Sequence, residues 1–224
     1  MCTAIEKVLC PKHINFIMSQ EERRAAKNCF YAMSGIPGII GAVDDTHIQM
    51  ICDHTMRIRA VNGCYGGASH DSHIWNLSDE RLFMKNAYVN GDKSSWLIGD
   101  SGYPLEPWIL TSYRSANEHS AESRFNKRFC KARFIIERVF GVLKGRFRCL
   151  LAARELHYAP VAQILNVCYA LHNVCLEHNV EPPTDIAYIE EEMELTSNTA
   201  LDLEGTNQFS AVAQALRDQI KNNL

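Results

Sequence analysis

The chain has 224 residues, of which 46% are hydrophobic, and it carries a formal net charge of −3 at pH 7. This length is typical of one domain of ordinary size with room for a tail, and the apolar content is sufficient for a buried core. The acidic balance excludes a protein that binds nucleic acid through its overall charge. The sequence contains no run of 18 apolar residues and no apolar signal-peptide core, so we expect neither a membrane span nor secretion.

The nine cysteines form no Cys-x-x-Cys pair. Five of them lie in apolar strand or helix patterns, namely Cys29, Cys52, Cys130, Cys168 and Cys175. An odd count without zinc-site spacing predicts reduced core cysteines in an intracellular protein, rather than a disulfide framework or a zinc site.

The N-terminal half alternates helix and strand signals. A capping box of Ser19 and Glu22 predicts a helix over QEERRAAKNCFYAM that ends near Met33, because glycine and proline follow. The apolar run IIGAV predicts a buried strand, and HIQMIC and MRIRAV predict two further strands joined by a turn at CDHT. Residues 63–72 are predicted to form a glycine-rich loop, and HIWNLSDERLFMKN a weak helix.

The C-terminal half contains a short predicted strand, SWLIGD, and two longer helices. A basic helix is expected at residues 120–144, and an amphipathic helix runs from Tyr158 to Glu177. An acidic, polar linker follows, and residues 209–224 form one last small helix. The elements predict an α/β fold with an N-terminal helical segment at 1–37, a main domain at 38–180, and a C-terminal acidic linker and short helix at 181–224.

The basic residues are concentrated in one segment. Residues 124–154 hold ten basic side chains and one acid, Glu137, whereas the rest of the chain holds 13 basic and 25 acidic residues. This segregation predicts a basic stripe that faces an anionic partner, and a solvated helix face is the alternative. The candidate phosphate contacts are Arg124, Lys127, Arg128, Lys131 and Arg138. Arg138 could instead pair with an acid of the core.

Three acids stand at positions where a carboxylate is unusual. Glu137 lies among apolar residues of the basic helix, where an unpaired carboxylate is costly. Two strand-like runs, IIGAVDD and SSWLIGD, carry Asp44 and Asp100 at their ends. Mg²⁺ and Mn²⁺ prefer oxygen ligands, and two such ions about 3.5–4 Å apart serve both ends of a phosphodiester reaction. These acids therefore predict a divalent metal site that acts on phosphate.

Five motifs resemble, in order, those of the PIF/Harbinger transposase family and of the nucleases domesticated from it. They are GIIGAVDDTHI, GGASHDSHIW, SWLIGDSGYPLEPWILTSY, RFNKRFCKARFIIERVFGVLKGRFRCL and YALHNVCLEHN. The resemblance extends from about His13 to Leu224. It implies an RNase H-like fold, in which a central mixed sheet is flanked by helices, and a DDE nuclease domain at 38–180.

The resemblance also implies a DNA endonuclease that hydrolyses phosphodiester bonds by two-metal catalysis with Mg²⁺ or Mn²⁺. Asp44, Asp100 and Glu137 are the implied catalytic metal ligands, and Asp71 is a further implied metal-site residue. By the sequence alone, Asp71 could equally cap a turn or the following helix. DNA is the implied substrate, and a Myb-like DNA-binding protein is the implied partner. The nucleus is the expected compartment, and the cytoplasm is the alternative.

The histidines near these acids have structural alternatives. His70 and His73 flank Asp71 and could form a zinc pair, although surface or hydrogen-bonded histidines are the more common case. His47 and His172 are predicted to be structural, and His47 is close enough to Asp44 in sequence to line the site.

The chain departs from the family pattern in three ways. Asp45 stands in place of a glycine, and a second carboxylate beside Asp44 could crowd the site or shift its pKa. About twenty residues are absent after Ile48, which predicts fused or misregistered strands, or a tight turn at Asp44 and Asp45 that displaces Asp44. The family's N-terminal region, which carries a helix-turn-helix-like part, is also missing.

These departures leave two alternatives to a nuclease. The first is a domesticated, catalytically inactive module that keeps the fold for binding DNA or protein. The second is a truncated product that folds poorly, since the loss of a hairpin loop could exceed the ~5–15 kcal/mol by which a domain is stable.

Overall fold

A computed structural model of the chain describes residues 2–45, 49–62, 71–151, 160–183 and 209–224. The strands are β1 (Ile39–Asp45), β2 (Gln49–Cys52), β3 (Ile58–Asn62), β4 (Trp96–Ile98) and β5 (Ile109–Leu110). They form one sheet in the order β3-β2-β1-β4-β5. The strands β1, β4 and β5 are parallel, whereas β2 is antiparallel to both of its neighbours, β1 and β3.

Helices cover both faces of this sheet. The described residues form α1 (Cys2–His13), α2 (Gln20–Ser34), α3 (Asp71–Leu77), α4 (Asp79–Val89), α5 (Ala121–Arg146), α6 (Pro160–Glu177) and α7 (Ser210–Asn222). The predicted α/β class and the RNase H-like arrangement of a mixed sheet flanked by helices are confirmed. None of the described helices is long and apolar enough to span a bilayer.

The core has two parts because successive strand residues face opposite sides of the sheet. On one face, Ala42 of β1 and Ile98 of β4 pack with Phe129 and Ile136 of α5. The opposite face packs in a second cluster, which includes Val43, Leu97, Trp75, Met84 and Trp108. The long helix α5 therefore lies over one face of the sheet, close to the strand that carries Asp44.

The start and end of α2 follow the sequence prediction. The Ser19 hydroxyl accepts from the Glu22 N–H at 3.1 Å, and the Glu22 carboxylate accepts from the Ser19 N–H at 2.8 Å. The helix ends where Gly35 takes a left-handed conformation with φ 75°. Because that conformation favours glycine, the predicted helix and its stop near Met33 are confirmed.

The segment HIWNLSDERLFMKN forms two helices, where the sequence predicted one. The Ser78 hydroxyl donates to Trp75 O and accepts from the Arg81 N–H, so this serine ends α3 and caps α4. The first helix begins at Asp71, so the last two residues of the predicted loop 63–72 are helical, and residues 63–70 lie outside the described residues.

The hairpin between the first two strands contradicts the expected tight turn. Asp44 pairs with Met50 and Asp45 pairs with Gln49, in register, so both acids remain in β1. The connection falls within residues 46–48, outside the part of the chain that the structure describes. A connection of this length is sufficient for a hairpin. The predicted fusion of the two strands, or a turn at Asp44 and Asp45, is therefore wrong, and His47 and Ile48 of the predicted second strand lie outside the described residues.

The expectation of core cysteines holds only in part. All eight described cysteines are free, Cys52 and Cys168 are buried, and Cys130 is exposed. On α5 the buried stripe runs through Phe129 and Ala132, so Cys130 points away from it. The prediction of a core position for Cys130 is therefore wrong.

Candidate active site

The first two acids lie on neighbouring parallel strands. Ala42 of β1 is paired with Ile98 of β4. Asp44 and Asp100 are each two residues further along, so they lie at the same edge of the sheet and on the side covered by α5. The Asp100 carboxylate accepts from the Gly102 N–H at 2.9 Å, which fixes the loop just after the strand. The fold thus brings together two aspartates that are 56 positions apart in the sequence.

The third acid comes from the helix that covers this face. Glu137 is half-buried on α5, directly after the buried Ile136. Arg133 precedes Glu137 by one helical turn, so the two side chains lie on the same side of α5.

Arg133 stands among the three acids. Its Nη2 donates to Asp44 Oδ2 at 2.9 Å, and the two side chains are 19% and 15% exposed. Burial opposes the charged guanidinium, yet the negative charges of Asp44, Asp100 and Glu137 raise the pKa of Arg133 above its ordinary value. Arg133 is thus ion-paired with Asp44 and lies within the electrostatic influence of Asp100 and Glu137.

Sequence reasoning missed Arg133. It was counted among the basic residues of the stripe, but nothing distinguished it from the others. Its spacing of four residues from Glu137 in a helix was the one available signal.

The donor set is chemically suited to a divalent cation. Three carboxylates offer the hard oxygen ligands that Mg²⁺ and Mn²⁺ prefer, and the guanidinium of Arg133 occupies the position of a positive charge among them. In the present arrangement, no group of three or more His, Cys, Asp or Glu side chains within the described ranges is close enough to hold a metal ion. The three acids thus suit a divalent cation in charge and ligand type, and in this structure the positive charge beside Asp44 is the guanidinium of Arg133.

Most of the predicted site residues before and at the start of α3 lie outside the described parts of the structure. The backbone of Asp71 begins α3, but its side chain and that of His73 lie outside the described parts of the structure, as does the whole of His70. The metal role of Asp71 and the alternative zinc pair stay predictions. The same holds for His47 and for the side chain of Asp45.

The predicted phosphate contacts divide into two groups. The exposed members, which lie on α5, are Arg124, Lys127, Lys131 and Arg138. Arg138 forms no ion pair with any other described residue, so a pairing with a core acid finds no partner there. Arg128 differs, because its guanidinium donates to Ser34 O at 3.3 Å and to Leu224 O at 3.4 Å. Arg128 therefore connects α5 to the last residue of α2 and to Leu224.

Comparison with known proteins identifies the family of this chain. A family model described as DDE superfamily endonuclease matches residues 45–173, a range that contains Asp100 and Glu137 and starts one residue after Asp44. The protein named "Putative nuclease HARBI1" in Bos taurus is 30% identical, over 85% of this chain and 62% of its own length. Its Homo sapiens namesake is 29% identical, over 75% of this chain and 54% of its own length.

A plant relative, "Protein ALP1-like" of Arabidopsis thaliana, is 26% identical over 72% of this chain and 52% of its own length. The chain therefore spans little more than half the length of the curated relatives it matches. No solved structure matches it.

Proposed function

The chain belongs to the DDE superfamily endonucleases, among the nucleases derived from Harbinger transposases, and from this premise we propose that it cuts DNA with the help of divalent metal ions. The observation that carries the proposal is the placement of Asp44 and Asp100 at the same edge of neighbouring parallel strands, beneath the helix α5 that carries Glu137. A structural core has little use for three like charges around one position, because they repel one another without a cation.

In this proposal, Asp44 and Asp100 would hold divalent metal ions from the edge of the sheet, Glu137 would add a ligand from α5, and Asp71 would assist. A bound pair of Mg²⁺ or Mn²⁺ ions supplies charge stabilisation to the attacking and the leaving oxygen of a phosphodiester. The half-buried setting of the acids limits access of water and strengthens their attraction for cations.

The exposed basic residues of α5 supply the contacts to DNA in the same proposal. Lys127 and Lys131 lie on the outer side of the helix whose inner side carries Glu137. These lysines would hold a phosphate backbone along the exposed side of α5, the same helix that carries Glu137. We propose DNA as the substrate. From the family resemblance we also propose a Myb-like DNA-binding protein as partner and the nucleus as compartment, with the cytoplasm as the alternative.

The test is plasmid nicking with Mg²⁺ or Mn²⁺ by the full chain and by matched acid variants. We expect metal-dependent nicking by the wild type and its loss in Glu137→Gln and Asp100→Asn. Glu122→Gln is the matched control, because Glu122 lies on the same helix but pairs with Lys221 far from the acid site. Equal nicking by the wild type and Glu137→Gln would contradict the proposal.

The second candidate is a catalytically inactive module that binds DNA or a protein partner. The ion pair of Arg133 with Asp44 favours it, because this pair occupies the ligand that a metal ion would need. Retained DNA binding with no nicking under either metal would support this candidate, provided that the protein unfolds cooperatively.

A further inference from the structure

We propose that Arg133 is the built-in counter-ion of the acid site, and that its guanidinium competes with the divalent cation for Asp44. The inference rests on the proposed function, since it assigns metal binding to the same three acids. It adds a residue that neither the sequence motifs nor the acid triad identify. Arg133 is thus a positioning residue that would lower metal affinity, because its guanidinium would have to leave Asp44 before a cation could bind there.

The geometry favours competition over support. The Nη2 of Arg133 donates directly to Asp44 Oδ2 at 2.9 Å, so it holds one of the two oxygens that Asp44 could offer to a cation. With both side chains less than one-fifth exposed, water cannot easily take over the role of either partner.

The pairing is also incomplete, which makes displacement feasible. The Nε of Arg133 is buried and has no hydrogen-bond partner in the described residues. By contrast, Arg81 donates through both Nε and Nη2 to the buried carboxylate of Glu106. Two hydrogen bonds fix the orientation of the Arg81 guanidinium, whereas the single hydrogen bond of Arg133 leaves its guanidinium freer to move.

The charges explain why the site needs such a residue. Without metal, the carboxylates of Asp44, Asp100 and Glu137 repel one another, and one internal cation reduces that repulsion. Once a divalent cation binds, the guanidinium and the metal repel each other instead. Removal of Arg133 should therefore weaken the metal-free fold and strengthen metal binding.

The experiment measures Mn²⁺ binding to the full chain by isothermal titration calorimetry, with the thermal midpoint as a second readout. We expect Arg133→Met to bind Mn²⁺ at least about tenfold more tightly than the wild type, because the competing charge is gone. Arg133→Lys keeps the charge and should remain close to the wild type. Should Arg133→Met fail to fold, Arg133→Gln replaces it as a neutral polar variant.

Two controls make the result specific. Arg23→Met removes another partly exposed arginine–aspartate pair, Arg23 with Asp92, and should leave Mn²⁺ affinity unchanged. In metal-free buffer, the thermal midpoint lost in Arg133→Met should be partly restored by adding Asp44→Asn, since fewer like charges then remain. An absence of this restoration would overturn the proposal without reference to any metal.

The outcomes separate this inference from the proposed function. If the wild type binds Mn²⁺ and Arg133→Met binds it equally or more weakly, the role of Arg133 is overturned and the nuclease proposal stands. Binding by neither protein would overturn both. Tighter binding in Arg133→Met, abolished by Asp44→Asn in the same chain, would support both.

Discussion

The side-chain amide of Asn173 binds both backbone hydrogen-bonding groups of Ile58. The Ile58 N–H donates to Asn173 Oδ1 at 2.9 Å, and Asn173 Nδ2 donates to Ile58 O at 2.7 Å and to His13 O at 2.8 Å. Because β3 is an edge strand of the sheet, its outer backbone groups need partners from another element. Helix α6 supplies them through this one residue, and thereby ties α1, α6 and the sheet together.

Replacement of this amide should be costly. We expect Asn173→Ala to lower the free energy of unfolding by at least about 3 kcal/mol, because three buried backbone groups lose their partner and each one costs about 1–3 kcal/mol when left unpaired. Urea unfolding followed by circular dichroism measures the loss. Asn166→Ala is the matched control on the same helix, since its half-buried amide bonds, among the described residues, to the Glu6 side chain alone. Equal losses in the two variants would contradict the assigned role.

The neighbouring residue, His172, predicts a dependence of stability on pH. Its imidazole is fully buried, with Nε2 3.0 Å from Met56 O, and burial together with the charge of Arg146 lowers its pKa from 6.5 to about 4. The unfolded chain therefore binds more protons than the folded chain between these two values. The stabilising effect of the neutral imidazole is complete above pH 6.5 and is lost as the pH falls towards 4.

The measurable consequence is a difference between two unfolding curves. From pH 7 to pH 4, the wild type should lose about 3 kcal/mol more of its free energy of unfolding than His172→Gln, which has no titrating ring. His178→Gln replaces an exposed histidine just after α6 and should follow the wild type. Parallel curves for the wild type and His172→Gln would show that this imidazole is not the cause.

The ion pair of Arg81 with the buried Glu106 lies on the face of the sheet away from α5, and it leads to a stability prediction. The fully buried carboxylate of Glu106 accepts from Arg81 Nε and Nη2 and from Trp75 Nε1. We expect Arg81→Met to lower the free energy of unfolding by about 3–5 kcal/mol, because it leaves a buried charge without compensation. Guanidinium unfolding provides the measurement.

The double variant Arg81→Met with Glu106→Gln distinguishes this explanation from simple loss of packing. The neutral amide no longer requires a cation, so the double variant should be more stable than Arg81→Met alone. A double variant that loses the sum of the two single losses would argue for packing. Arg23→Met, which removes a partly exposed pair with Asp92, should cost no more than about 1 kcal/mol.

The sequence predicted the parts of the site that depend on local pattern. Apolar runs that end in aspartate identified the strands of Asp44 and Asp100, and the apolar periodicity around Glu137 identified α5. Arg133 could not be singled out, because its partner Asp44 is 89 positions away and the contact exists only once α5 packs on the sheet. For the same reason, nothing in the sequence showed that Asn173 would bind the backbone of an edge strand.

Local competition explains the elements that were misjudged. Ser78 lies inside a continuous helical pattern, yet its hydroxyl bonds to the backbone on both sides and divides the helix in two. The hairpin at Asp44 and Asp45 was judged from the missing glycine, whereas the register of paired strands is set by which residues face the core. Ala42 and Met50 both pack beneath α5, which keeps Asp44 in its strand.

The proposed contact of α5 with DNA predicts a change in salt dependence. If Lys127 and Lys131 each neutralise a phosphate, the double alanine variant should reduce the slope of log K against log salt by about 2, because each contact contributes about 0.9. Fluorescence anisotropy of a labelled duplex over a KCl series, without divalent metal, measures the slope. Lys93→Ala is the control, since Lys93 lies before β4 and stacks on Tyr88.

Arg128→Ala provides the internal comparison on the same helix. Its guanidinium donates to the carbonyls of Ser34 and Leu224, so this change should lower stability but leave the salt slope as in the wild type. A slope that falls equally in Arg128→Ala and in the double lysine variant would show that binding follows total charge rather than the exposed side of α5. An unchanged slope in the double variant would remove α5 from the DNA-binding surface.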